Sequence, residues 1–452
     1  MPYAIVMTRT PDRVKGCLLP QALLLLGRCA SDTALIGSKP LNKKDPTMWA
    51  IIIFVITYIG VAIGRIPGLL LDRTGIALLG AIAMVVSGAV PVSRAVGSID
   101  VPTILLLYAL MIVSAQLRLG GFYTQVAQRI ARICRQPRLF LLISMGVSAM
   151  LSAVLANDIV CLAFTPVLVF SLLSAGMNPI PFLIGLAVAS NIGSAATIIG
   201  NPQNMLIGQF GHLSFGAFLG WCAPPVLVSF GGAYAIIVWF YRHRWILADT
   251  IRLGSKEHYW PSFNPWQSGK GIAATLVLMV LFFTPIPREI SALAIAGLLL
   301  CSRRMQSRQI IALVDWPLIT LFCALFVVIE GISSVQVPQR LVAMLAGHGI
   351  DIQAPLVLTG VSTLLSNIVS NVPATMLLVR FLDAVQPVQW YVLALSSTFA
   401  GNLITIGSIA NLIVIEQAKV NGITIDFWTH AKVGLTVTAW SLLVLLGWIL
   451  II

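Results

Sequence analysis

Residues 48–64, MWAIIIFVITYIGVAIG, contain no charged side chain. As a helix this run rises about 25 Å, close to the hydrocarbon thickness of a bilayer. Several other runs of 17 or more residues carry few or no charges. Lipid is the solvent such a chain is written for. Lipid offers the backbone no partners, so each N–H and C=O must be satisfied within the protein, which leaves helices as the repeating element. Composition agrees, with 58% of the 452 residues hydrophobic and 10% charged. The net charge of +13 would suggest nucleic acid in a soluble protein. Here the basic residues fall mostly between apolar runs, as in cytoplasmic loops, so the expected partner is the lipid bilayer and not nucleic acid. The seven cysteines include no CxxC pair and the five histidines no HExxH or HxxxH pair, so neither a metal centre nor a hydrolase is expected.

Two of the apolar stretches are interrupted by polar, glycine-rich sequence. Residues 190–208 read SNIGSAATIIGNPQNMLIG and residues 400–415 read AGNLITIGSIANLIVI. Superposed without a gap, they pair Gly200 with Gly407, Asn204 with Asn411 and Asn201 with Ser408. Unwound backbone inside a membrane is tolerated only where protein or a water-filled cavity receives it, so two such breaks in corresponding places point to a transporter's binding site.

The correspondence extends over the chain. Asp100-Val-Pro aligns with Asp315-Trp-Pro, Gln128-Arg129 with Gln339-Arg340, and Ser152-x4-Asn157 with Ser366-x4-Asn371, with Pro373 and Thr375 just beyond. We read an all-α polytopic membrane protein made of two inverted repeats at 48–241 and 271–452, joined by a cytoplasmic loop at 242–270. Each repeat holds three spans, a re-entrant hairpin, a broken helix and a closing helix, about 10 spans plus two hairpins in all; in the first repeat the short arms of Leu139–Ala175 fit a re-entrant hairpin as well as two full spans. In the first repeat the spans are expected near 48–64, 75–93, 101–117 and 215–241. Five crossings per repeat invert the second copy. With the arginine-rich segment 120–137 inside, the outer loops keep only Arg94, Arg288, Arg340 and Arg380. Residues 1–47 are basic and proline-broken, and this orientation would send their seven Lys and Arg across the membrane. Translation starting at Met48 is therefore expected over a genuine extension.

The hairpin tips Ala156-Asn157-Asp158 and Ser370-Asn371-Val372, followed by Gly200-Asn-Pro-Gln-Asn204 and Gly407-Ser-Ile-Ala-Asn411, carry a family resemblance over about residues 48–452. The chain resembles the ion transporter superfamily, with its citrate transporter-like domain. That superfamily includes the arsenite/antimonite permeases, the divalent anion:sodium symporters and some sodium/proton antiporters. The resemblance implies a secondary active transporter in a bacterial inner (plasma) membrane, moving a small inorganic or organic anion by alternating access. It implies no cofactor beyond Na⁺ or H⁺ as coupling ion, and allows a homodimer. Alternatives are a Na⁺/H⁺ antiporter or an arsenite permease-like protein, and more remotely a channel. In the dicarboxylate branch each tip reads Ser-Asn-Thr. Here Ala156, Asp158 and Val372 depart from that pattern, and the Asn-Asp tip is closer to the arsenite permease and antiporter branches.

The candidate substrate- and ion-binding residues follow from these pairings. They are Ser152, Asn157 and Asp158 at the first tip, with Ser194, Thr197, Gly200, Asn201 and Asn204 at the first break. The second half contributes Ser366, Ser370, Asn371 and Thr375, then Gly401, Asn402, Thr405, Gly407, Ser408 and Asn411. Na⁺ is expected at Asn157, Asp158, Gly200, Asn371 and Gly407. Asp158 is either a coupling-ion carboxylate or a cap for the second hairpin arm. Asp100 and Asp315, each two residues before a proline, are expected to cap helices.

Overall fold

The computed structural model describes residues 46–64, 68–133, 136–246, 262–383 and 386–452. The expectation for the segment 1–47 lies, but for its last two residues, outside the described residues, as does most of the expected loop at 242–270. Regular structure among the described residues is helical, with one isolated bridge between Met177 and Ile246.

The first half contains α1 (Pro46–Ile63), α2 (Arg73–Val86), α3 (Val92–Gly97), α4 (Val101–Leu119), α5 (Phe122–Ala131), α6 (Pro137–Val154), α7 (Asn157–Ser174), α8 (Ile180–Ser194), α9 (Pro202–Phe210) and α10 (Phe215–Tyr241). The second half follows the same order with α11 (Pro265–Leu281), α12 (Arg288–Leu300), α13 (Ser307–Ile311), α14 (Trp316–Ser334), α15 (Val337–Gly347), α16 (Pro355–Val369), α17 (Asn371–Leu378), α18 (Pro387–Ala400), α19 (Ile409–Val420) and α20 (Phe427–Ile451). Six of these, α4, α6, α7, α10, α14 and α20, are long and apolar enough to cross a membrane. The protein is a multi-pass integral membrane protein. Both arms of the first hairpin, α6 and α7, reach 18 residues, or about 27 Å, longer than the short arms read from sequence. The span expected at 75–93 ends early, at Val86, because Gly88 turns the chain with φ 75°.

Caps fix where the central helices begin. The Asp100 carboxylate accepts the Thr103 N–H at 3.0 Å, and Asp315 accepts that of Leu318 at 3.0 Å. Each satisfies one of the N–H groups a helix start leaves open, and Pro102 and Pro317 give up an N–H that would have had no partner.

Packing crosses between the halves. α4 packs on α11 and α12, while its counterpart α14 packs on α1 and α2. Likewise α9 packs on α17 and α19 on α7. Burial follows: 67% of the α4 window and 61% of the α14 window lie inside the protein, against 28% for α10 and α20, whose outer faces present Leu227, Trp239, Leu443 and Leu450. Such apolar surface suits contact with lipid tails.

Candidate functional site

The two hairpin tips are built differently. Leu155 and Ala156 join α6 to α7 in ordinary extended backbone, whereas Ser370 alone joins α16 to α17, at φ 76° and ψ 161°. The two breaks lie between α8 and α9, and between α18 and α19, the second containing a 3-10 turn at Thr405–Gly407.

One hydrogen-bond pattern holds both breaks. The Asn204 side-chain amide donates to the carbonyls of Ser194 (3.3 Å) and Thr197 (2.9 Å). Asn411 donates to those of Gly401 (2.7 Å) and Ile404 (3.1 Å), at the same chain separations. These bonds receive carbonyls that unwinding frees. Asn201 then caps α9 by accepting the Asn204 N–H at 2.8 Å, and Ser408 caps α19 through the Ala410 N–H at 3.2 Å. At Gly200 a Cβ would sit 2.2 Å from the Ser194 carbonyl oxygen, so only glycine lets the loop close on itself.

Each tip is tied to the glycine of a break. The Asn157 N–H donates to the Gly200 carbonyl at 3.4 Å. Asn371, with its amide nitrogen turned toward the carbonyls, donates to Gly407 and Ser397, each at 3.0 Å. Where tips and breaks meet there is a cavity of about 20 Å³, room for one water-sized occupant. Its lining is Asn157 and Asp158 of α7, Pro202 and Gln203 of α9, Ser370, Asn371 and Val372 at α17, and Ser408 and Ile409 at α19. Every one is the cap, first or second residue of its helix, so four helix N-termini face one small space.

Asp158 is half-buried in that lining. Helix α7 has no side-chain cap bond, and among the described residues the Asp158 carboxylate takes no hydrogen bond or ion pair. The capping alternative for Asp158 therefore has no bond to rest on. Asn157 Oδ1 is likewise buried without a hydrogen-bond partner among the described residues.

Of the residues singled out from sequence, Asn157, Asp158, Ser370, Asn371 and Ser408 line the cavity. Behind them Ser152 bonds Ser190 at 2.8 Å, and Ser194 accepts from the Asn201 amide at 3.0 Å. Thr197 donates to the Ala153 carbonyl. Ser366 and Thr375 are buried with unpartnered hydroxyls among the described residues, and Thr405 sits half-buried on the 3-10 turn, outside the cavity lining.

Sequence reasoning missed the hub. The Asn191 amide donates to Asn402 (2.9 Å) and Asn411 (3.1 Å), while its oxygen accepts from Ser408 (2.9 Å) and Asn157 (3.5 Å). It thereby joins both breaks to the first tip. Thr398, which accepts from Asn201 and Gln203 at 3.3 Å each, occupies the matching position in the second half. A polar residue three places before Ser194 and, likewise, before Gly401 is the signal that could have found both. His430 is buried on α20 with Nε2 3.3 Å from the Asn402 carbonyl.

Interrupted helices and hairpin tips that turn their N-termini onto one cavity, inside a bundle of membrane-length apolar helices, form the architecture of a membrane transporter. The citrate transporter family profile matches residues 49–400. A 46 kDa membrane protein of Mycobacterium leprae is 30% identical over 417 residues, covering 87% of this chain and 96% of that protein. A silicon efflux transporter of Oryza sativa subsp. japonica is 26% identical, covering 82% and 91% respectively, and a putative transporter arsB of Dictyostelium discoideum is 24% identical, covering 90% and 92%. The chain belongs to the citrate transporter family, and it is a transporter, not an enzyme.

Proposed function

We propose that this transporter carries a small inorganic or organic anion by alternating access, driven by Na⁺ or H⁺. The observation that carries the reading is the convergence of four helix N-termini on one cavity. Each N-terminus acts as roughly half a positive charge, so together they present about +2 to an occupant, and ionised Asp158 cancels about half of that. One unit charge about 5 Å away, at an effective dielectric near 20, is worth about 3 kcal/mol, or roughly a hundredfold in affinity. A proton or Na⁺ neutralising Asp158 therefore strengthens anion binding, and by linkage the anion strengthens cation binding. That reciprocity is the thermodynamic basis of symport.

Na⁺ would draw its oxygens from Asp158, the unpartnered Oδ1 of Asn157, and the carbonyls of Gly200 and Gly407 at the two tip contacts, with Asn371 beside them. The inverted duplication, with the hairpins and breaks moving as a unit, is part of the same proposal. The matched order of α1–α10 and α11–α20 and the repeated asparagine-to-carbonyl bonds support it.

The test is flux in proteoliposomes. Anion-dependent Na⁺ or H⁺ uptake is the expected result, and a Na⁺-driven pH change with no added anion would replace symport by Na⁺/H⁺ antiport. The antiport reading has one specific support, the unbonded Asp158 carboxylate, which could alternate between Na⁺ and H⁺. The names of two relatives, a silicon efflux transporter and a putative arsB transporter, make silicate and arsenite worth including among the trial substrates.

A further inference from the structure

Arg288 and Arg73 are separated by the same chain interval as Asp315 and Asp100, and each is the first residue of its helix, α12 and α2. They are counterparts in the two halves. Arg288 is engaged. Its guanidinium donates to the Leu213 carbonyl at 2.7 Å and to the Gly208 carbonyl at 2.8 Å, with Gln209 Oε1 at 3.5 Å. The adjacent Glu289 accepts from Gln209 at 3.1 Å. The start of α12 thus grips the C-terminal end of α9, whose other end lines the tip cavity. A cation at a helix C-terminus also suits the helix dipole.

The other half is arranged differently. Gln209 corresponds to Glu416 on α19, at the interval that separates Asn204 from Asn411. Arg73 and Glu416 line one pocket of about 390 Å³ with Asp72, Thr74, Asp315 and Ile409. Among the described residues neither the Arg73 nor the Glu416 side chain makes a hydrogen bond or an ion pair. Ile409 also lines the tip cavity, so this pocket and the cavity share a wall. The pocket beside Arg288 and Gln209 has no lining residue in common with the cavity.

We infer that Arg73 and Glu416 are the two halves of a second latch, open in this structure, that pairs when the Arg288 latch releases. The inference rests on the alternating-access reading above. If the two repeats exchange conformations during transport, α19 moves onto the start of α2 as α9 now sits on the start of α12. Arg73 then meets Glu416 as an ion pair where Arg288 now meets backbone carbonyls and an amide. Arg73 and Glu416 are positioning residues. They touch no substrate, and their pairing sets which face of the protein the cavity opens to.

The experiment uses the full chain in vesicles of both orientations, with Val372→Cys as a cavity reporter and a membrane-impermeant maleimide as probe. The same chain without that cysteine corrects for native thiols. Glu416→Gln weakens the closed latch, so labelling from the face opposite Arg73 is expected to fall about threefold, the scale of one exposed ion pair. The exchanged pair Arg73→Glu with Glu416→Arg is expected to restore the parent ratio, a rescue that a folding defect would not give. Arg288→Ala is expected to raise opposite-face labelling. An unchanged ratio in Glu416→Gln, or no rescue by the exchange, overturns the latch, and alternating access still stands if Arg288→Ala shifts the ratio. Labelling from one face alone in every variant overturns both.

Discussion

Ser370 holds a backbone conformation (φ 76°, ψ 161°) that is close to glycine-only territory and costs on the order of 1–3 kcal/mol. It also lines the tip cavity. Ser370→Gly is therefore expected to raise the melting temperature of the purified protein while weakening ion-coupled uptake, measured as an increased half-saturation concentration. The paired asparagines invite a comparison at the same scale. Asn204→Ala and Asn411→Ala each release two carbonyls inside the protein, about 1–3 kcal/mol apiece. Asn411 additionally accepts from Asn191, while Asn204 Oδ1 has no partner among the described residues. Thermal unfolding should accordingly rank Asn411→Ala below Asn204→Ala.

In the proposed mechanism the helix ends are the working elements. Among the described residues the Asp158 side chain gives no hydrogen bond or ion pair to the fold, so Asp158→Asn is expected to leave the protein inserted and folded while coupled flux collapses in proteoliposomes; retained coupling would remove Asp158 from the ion path. If the four N-termini bind an anion, oxyanions or dicarboxylates should raise the melting temperature, with about 2.7 kcal/mol of stabilisation at a hundred times the dissociation constant. Much of this element-level layout was legible in the sequence. Gly200, Asn204, Gly407 and Asn411 sit at matched positions because unwinding a helix makes the same local demands in each half. Asn191 was not legible, because its importance lies in four contacts with residues of three other segments, and its counterpart is a threonine. Gln203 was hidden similarly, since its value as a lining residue comes from the tip that folds over it.

At the scale of the whole molecule the halves are interlocked, α4 lying on α11 and α12 and α14 on α1 and α2. Splitting the chain between α10 and α11 is expected to give two fragments that co-purify as one monodisperse particle when expressed together. Either fragment alone, with α4 or α14 uncovered, should aggregate on size exclusion. Hydropathy could reveal the helices but not this exchange. Lipid tails and a neighbouring helix are equally apolar, so the sequence of α4 carries no sign of which will cover it.

The exchange also sets a timetable for biosynthesis. Helix α4 is complete once residue 119 has been made, but the two helices it packs on most, α11 and α12, end only at residue 300. At a synthesis rate of about 5–20 residues per second, the ribosome needs roughly 10–40 s to supply them. Until they are made, α4 lacks the two helices it packs on most extensively, and Gln116 lacks the Gln267 carbonyl and side-chain oxygen that its amide will reach at 3.1 and 2.9 Å. Quality-control proteases and insertion chaperones would meet the nascent chain in that window, and ribosome stalling between α4 and α12 would lengthen it.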